Sequence, residues 1–373
     1  MNKPLRKIMC LIPNLRGGGA ERVMLILMKH LDRTQFHLTL AVVDLQDAVY
    51  LNDLPEDVEL IDLECTRVRY ALPKLVSLIW KRRPDVVFST LGHLNLALAI
   101  IRPLLPNGVR YIARETSIVS ATLQGYSFAS LWRWAYRKFY SRFDTVVFQS
   151  RYMRDDLVGN FSFPAKSAAV IHNPVDLERI HSLASEHVST AMRLATKNEV
   201  ESTIHLVAAG RMVPVKGFDL LIEALALCGD SRLRLTILGE GPMLHELEAL
   251  AESREVFGQV HFAGFQKNPY PFFAQADCFV LSSRFEGFPN VVLEALACGT
   301  PVIALPSPGG VQEILEGVEG CVIAEAVSSD ALASAISQWK AEGMKRIDAN
   351  VAVTAYEIDQ IMWCYEEVLG AYT

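Results

Sequence analysis

The sequence predicts an α/β protein made of two domains, each a parallel sheet covered by helices. Three observations carry that prediction. The chain has 373 residues, too long for one ordinary core and close to two domains of about 180 residues each. Short apolar runs are followed again and again by a polar or glycine-containing loop and then a helical pattern, the order of βαβ units. No stretch alternates apolar and polar residues as a half-exposed antiparallel sheet does.

Composition narrows the class. With 51% hydrophobic and 21% charged residues the chain is a packed globular protein, not a disordered one. Seven cysteines (10, 65, 228, 278, 298, 321 and 364) show no ligand spacing and lie mostly in apolar runs, so they read as reduced core thiols of a cytosolic protein. Three basic residues precede the apolar run 8–13, but that run is too short for a signal peptide and no small-residue cleavage site follows; it reads as a first strand. The longest apolar region, 86–101, is broken by Ser89, Thr90, His93 and Asn95, so no membrane span is expected. The net charge of −6 is divided: residues 1–178 hold 23 basic and 17 acidic side chains, a net of +6, which leaves −12 for the remainder. Between Thr66 and Arg154, 15 basic residues face three acids, Asp85, Glu115 and Asp144. Something anionic is expected to meet this half.

The elements follow in order. KIMCLIPNL and RGGGAERVMLILMKHL read as strand, glycine loop and helix; Gly17, Gly18 and Gly19 let the backbone approach a ligand closely, although a glycine run alone is equally a tight turn. HLTLAVVDL and VELIDLE are further strands, and PDVVFSTLGHLNLALAI is strand, loop and helix. It places His93 and Asn95 at a strand's carboxyl end, where open α/β sheets bind ligands. VRYIARETS is a strand leading to Arg114 and Glu115. The stretch 127–142 then mixes tryptophan, tyrosine, phenylalanine and basic residues with no acid, a pattern suited to a membrane surface or a lipid-linked substrate as well as to an ordinary covering helix. No nucleic-acid module accompanies it. After VIHNPVD, residues 179–200 are polar and helical without a core pattern, and the linker is placed there, between domains 1–178 and 201–355.

The second domain opens with TIHLVAAGRMVPVKGFDLLIEAL, whose loop at a strand's end carries Arg211 and Lys216. RLTILGEGP and VHFAGFQKNPYPFFAQADCFVL supply three more strands, with a loop over 264–268 and a short helix between the second and the third. The most informative stretch is LSSRFEGFPNVVLEALACGTPVIALPSPGG, residues 281–310. It predicts a loop, a helix opened by Pro289 and closed at Gly299. Glu286 precedes that helix, and Glu294 lies inside it in an apolar setting that must supply a partner. A helix N-terminus suits phosphate and carboxylates suit sugar hydroxyls, a combination that fits a sugar nucleotide.

EGFPNVVLEALACGTPVIA, followed by SPGGVQEIL and joined to the Arg-x4-Lys-Gly of Arg211 and Lys216, resembles the signature of retaining glycosyltransferase family 4, enzymes of the GT-B fold. The resemblance covers nearly the whole chain. It implies two Rossmann-like domains facing each other across a cleft, with the last segment, 356–373, a helix crossing back to the first domain. It implies that Arg211 and Lys216 contact the donor diphosphate, that Glu286 orients the donor sugar and Glu294 the ribose, and that His93 reaches the sugar from the other domain. Gly17 and Gly18 would approach the donor phosphates or the acceptor. Gly264, Phe265 and Asn268 would surround the nucleobase, with Gly287, Phe288, Pro289 and Asn290 completing the donor site. The substrate is then a nucleotide-diphosphate sugar, a UDP-sugar ahead of a GDP-sugar. The acceptor is a glycan or lipid-linked acceptor in bacterial surface polysaccharide or glycoconjugate synthesis. With no D-x-D in the chain, no metal and no cofactor are expected. An anionic membrane surface is expected as a partner of the first domain, and nucleic acid is not. That places the enzyme in the cytoplasm at the inner face of the membrane. Two rivals stand beside this reading: a sugar-nucleotide epimerase of similar layout, and a catalytically silent sugar-nucleotide-binding protein.

Overall fold

The computed structural model describes residues 4–49, 51–186 and 203–370. The chain divides into two compact units, Met1–Pro174 with Ile358–Thr373, and Val175–Glu357. The first unit holds seven strands: β1 (Arg6–Ile12), β2 (Phe36–Val42), β3 (Glu59–Asp62), β4 (Val86–Thr90), β5 (Arg110–Arg114), β6 (Thr145–Phe148) and β7 (Ala168–Val170). Their order across the sheet is β3-β2-β1-β4-β5-β6-β7, and every pairing is parallel. The second holds β8 (Ile204–Ala209), β9 (Leu233–Leu238), β10 (Val260–Gly264), β11 (Cys278–Leu281), β12 (Val302–Ala304) and β13 (Val322–Ile323), in the order β10-β9-β8-β11-β12-β13. These too pair in parallel. Two parallel sheets with helices are therefore present as the sequence predicts.

Both faces of each sheet are buried, which is why the strands read as continuous apolar runs. Along β1, Met9 and Leu11 join one core while Ile8, Cys10 and Ile12 join the other. The helix Ile358–Gly370 seals that second face with Ile361, Met362, Tyr365 and Leu369. Arg6 and Arg110 of the sheet donate to its last carbonyls, Leu369 O at 2.9 Å and Val368 O at 3.0 Å. The cations thus lie at the negative end of the helix dipole.

The boundary between the units differs from the sequence reading. The first unit ends at Pro174, and residues 177–184, of which 179–184 were expected within the linker, form the helix Leu177–Ala184. Asp176 caps it by accepting from the Arg179 N–H at 3.0 Å. Only Ile180 of this helix is fully buried, in the core of the second unit. Leu177, Leu183 and Ala184 pack beside it while staying partly exposed, so the stretch read as helical but too polar for a core element. The rest of the expected linker, from 187 to 200, lies outside the described residues.

Each sheet has one place where the chain turns from building outward on one side to building on the other. In the first unit that switch falls between β1 and β4, and in the second between β8 and β11. At such a point the helices that follow two adjacent strands go to opposite faces of the sheet, and ligands bind in the crevice outside the strands' carboxyl ends.

Candidate functional site

In the second unit the loop after β8 runs to a short turn, Pro214–Lys216, and then the helix Phe218–Cys228. The loop after β11 leads to the helix Asn290–Ala297. Because β8 and β11 are neighbours, the two loops meet. Lys216 Nζ donates to Glu286 Oε1 at 2.5 Å, and Ser283 Oγ donates to the same oxygen at 2.7 Å. The side chains are 24% and 14% exposed, dry enough to strengthen the pair and still open to a ligand. The Glu286 N–H donates to Pro308 O at 3.0 Å, and the Gly310 N–H to Gly287 O at 3.0 Å. These bonds tie the glutamate loop to the loop after β12. Arg211 is exposed at the mouth of the same loop and makes no ion pair among the described residues.

The helix begins at Asn290, with Pro289 as the residue before its first turn, one position later than the sequence suggests. Glu294 is half-buried on this helix, while Val292 and Leu293 enter the core. The Phe288 ring also lies in the core, 5.9 Å from the Tyr356 ring. A donor can therefore meet Phe288 through backbone only.

At the end of β10, Gly264 has φ +67° and its carbonyl accepts from the Gly239 N–H at 2.8 Å. Phe265 is 70% exposed, and its N–H donates to Glu240 Oε1 at 3.4 Å. Asn268, in the same loop, is engaged by the protein itself. Its Nδ2 donates to Leu183 O at 2.9 Å and to Glu186 Oε2 at 3.0 Å, so it braces the helix Leu177–Ala184. Glu240 and Ser283 were not singled out in the sequence. A carboxylate between two glycines just after a strand, and a hydroxyl three residues before Glu286, were the available signals.

In the first unit the loops after β1 and β4 stand at the switch point. The β4 loop is sharply bent: Leu91 has φ +75°, costly for a branched side chain. Leu91 O accepts the N–H groups of Leu94 and Asn95, both at 3.0 Å, and His93 is presented at the surface at the start of the helix Gly92–Ile101. Desolvation by neighbouring protein lowers the His93 pKa, which favours neutral imidazole. Asn95 is not beside His93 as a ligand group. It is fully buried, donating to Arg114 O at 2.9 Å and Glu115 Oε1 at 3.2 Å. Glu115 is fully buried, and burial pushes its carboxyl up to about 8. A methyl group on Gly92 would sit 2.7 Å from the Tyr136 hydroxyl and 3.2 Å from Glu115 Oε2, so the turn lies directly on a buried polar cluster. At the β1 loop, burial raises the Glu21 pKa while N–H groups of Glu21 and Gly18 bond the carboxylate. An acid of the chain itself thus occupies part of that helix start. Among the described residues no group of three or more His, Cys, Asp or Glu side chains could hold a metal ion.

Comparison with known proteins agrees with this geometry. The model of Glycosyltransferase Family 4 matches residues 17–179, and that of Glycosyl transferases group 1 matches residues 194–352. A Campylobacter jejuni enzyme, N-acetylgalactosamine-N,N'-diacetylbacillosaminyl-diphospho-undecaprenol 4-alpha-N-acetylgalactosaminyltransferase, is 29% identical over 323 residues, 83% of each chain. The GDP-mannose-dependent alpha-(1-6)-phosphatidylinositol monomannoside mannosyltransferase of Mycolicibacterium smegmatis is 31% identical over 71% of this chain and 70% of its own. The crystal structure of Anabaena HepE in complex with UDP superimposes with a TM-score of 0.78 at 20% identity, covering 98% of this chain and all of that one. The chain belongs to glycosyltransferase family 4 and has the GT-B fold.

Proposed function

We propose that the protein transfers a sugar, with retention of anomeric configuration and without a metal, from a nucleotide-diphosphate sugar to a lipid-linked or glycan acceptor. The observation that carries this is the Lys216–Glu286 pair, which puts a cation and a sugar-binding carboxylate at the second unit's switch point. Departure of the nucleotide places negative charge on its diphosphate, and preorganised cations there lower the barrier most. Lys216 and Arg211 supply those charges, with no D-x-D in the sequence to bring a metal. Glu286 orients sugar hydroxyls, Glu294 the ribose, and His93 the sugar. A UDP-sugar is the favoured donor and a GDP-sugar the next.

The lipid-linked acceptor is supported by the names of both relatives and by one surface of the first unit. On the helix Ala129–Phe139, Leu131 and Trp134 are 60% and 49% exposed, and Phe128 just before it is 81% exposed. Arg133, Arg137 and Lys138 stand among them without an ion pair among the described residues; Lys138 lies 4.9 Å from the Trp134 ring centre. No helix among the described residues is long and apolar enough to cross a membrane. We therefore place the enzyme at the cytoplasmic membrane face, peripherally bound.

The test is a panel of UDP-, GDP- and ADP-sugars read by thermal shift and by sugar transfer to lipid extracts, with and without EDTA. The true donor at 100 times its Kd stabilises by about 2.7 kcal/mol, and transfer persists in chelator. Loss of transfer in EDTA, restored by Mg²⁺ or Mn²⁺, removes the metal-free mechanism; no binding and no transfer from any donor removes the reading.

A further inference from the structure

Three consecutive carbonyls of the turn that carries Lys216 accept from the loop that carries Glu286. Pro214 O accepts from Arg284 Nη1 at 2.6 Å, Val215 O from the Arg284 N–H at 2.8 Å, and Lys216 O from Ser282 Oγ at 2.9 Å. The two backbones run so close that a Cβ on Gly217, where φ is +62°, would lie 2.0 Å from Ser282 O. Arg284 is the side chain that joins the two loops from outside, and it is itself gripped. Nη1 and Nη2 donate to Asp219 Oδ1 and Oδ2 at 2.8 and 2.6 Å, the bidentate fork that only a guanidinium offers. Asp219 stands in the first turn of the helix Phe218–Cys228, so a rigid element sets its position. The hydrogen bonds from Arg284 hold the Asp219 carboxyl below its ordinary range.

We propose that Arg284, gripped by Asp219, is a positioning residue that fixes the Lys216 turn against the Glu286 loop so that ammonium and carboxylate stand ready at the donor; the proposal rests on the functional reading above. The side chains are 37% and 31% exposed, and so exposed a pair contributes little to global stability. Its effect is on placement. A misplacement of about 1 Å at a reacting group can lower turnover by about 100-fold.

The experiment combines steady-state kinetics with amide hydrogen exchange on the free protein, for Arg284→Met, Arg284→Lys and Asp219→Asn. The exchange probes are the Lys216 and Gly217 amides, bonded to Val213 O and Pro214 O at 3.0 and 3.2 Å. In Arg284→Met their exchange accelerates about tenfold or more, kcat falls about 10- to 100-fold, and donor KM moves less than about threefold. Thermal midpoints stay within a few degrees. Arg284→Lys behaves like Arg284→Met, since one ammonium cannot serve Pro214 O and both Asp219 oxygens together. The double variant Arg284→Met/Asp219→Asn is no worse than Arg284→Met alone, because both break one device. Unchanged kcat, full recovery by lysine, or additive losses overturns the proposal. Should the unaltered chain transfer no sugar, the functional reading falls, and unchanged exchange in Arg284→Met then overturns the clamp by itself.

Discussion

The two switch points hold their candidate functional side chains by opposite means. In the second unit, charge meets charge: Lys216 and Glu286 pair at 2.5 Å between loops pinned by backbone and hydroxyl hydrogen bonds. In the first unit, His93 sits on a turn bent through Leu91 at φ +75°, above a buried Glu115 and Asn95 that have no ionic partner among the described residues. One site is built on electrostatic pairing and the other on strain over a neutral polar cluster. A device made of charge tolerates solvent and resists small packing changes. A device made of strain persists only while the surrounding core enforces it.

That contrast can be broken most directly at the second unit. Lys216→Ala and Glu286→Ala are each expected to lower kcat by about 100- to 1,000-fold, the scale for removing one preorganised group at developing charge, with thermal midpoints nearly unchanged. Near-normal turnover in Lys216→Ala would remove leaving-group stabilisation from the mechanism. A smaller effect should separate the anions proposed for the two units, a small donor for the second and a membrane surface for the first. Replacing Arg137 and Lys138 by alanine removes about 2 kcal/mol of attraction to anionic vesicles, at about 1 kcal/mol per cation. Co-sedimentation should show binding to anionic but not neutral vesicles, lost in 0.5 M salt because the Debye length of about 8 Å at physiological ionic strength shrinks further. No binding to either vesicle type would point to an acceptor in solution.

A third effect, on stability and not on turnover, tests the first unit. Glu115 stands near 8 when folded against an ordinary value of 4.5, so between these values the native state binds a proton that the unfolded chain has lost. Its contribution to stability is full below 4.5 and declines as pH rises toward 8, at up to about 1.4 kcal/mol per pH unit. Glu115→Gln should flatten that slope and exceed the unaltered protein in stability at pH 8, as measured by urea unfolding across pH. Parallel curves for the two proteins would show that Glu115 does not titrate in this range.

Much of this was legible before folding. Strand, loop and helix succeeded one another clearly because strands buried on both faces must be continuously apolar, and helices that cover them must show a 3.6-residue period. Glu286, Lys216 and Arg211 stood out because their spacing and neighbours, EGFPNVVLEALACGTPVIA and Arg-x4-Lys-Gly, resemble the family signature; a charged loop residue alone would have meant little. Asn268 and Asn95 look no different in sequence from ligand-binding amides. Tertiary contact assigns one to brace a helix and the other to bond a buried carboxylate. The stretch holding the helix Leu177–Ala184 read as helical, but tertiary contact decided that it packs on the second unit's core.

By itself the sequence determined the α/β class, the parallel sheets, the family and the set of charged residues from which a donor site is made. All of these depend on local periodicity or on fixed spacing along the chain. Only the tertiary structure decided that Lys216 meets Glu286, that Arg284 bonds the turn beside Lys216, and that Glu115 lies beneath the His93 turn. Those pairings join residues 70, 70 and 23 positions apart, and they exist because strand order brings β8 beside β11 and β4 beside β5. Strand order is settled by the free energy of the assembled sheet, to which no single segment holds the key.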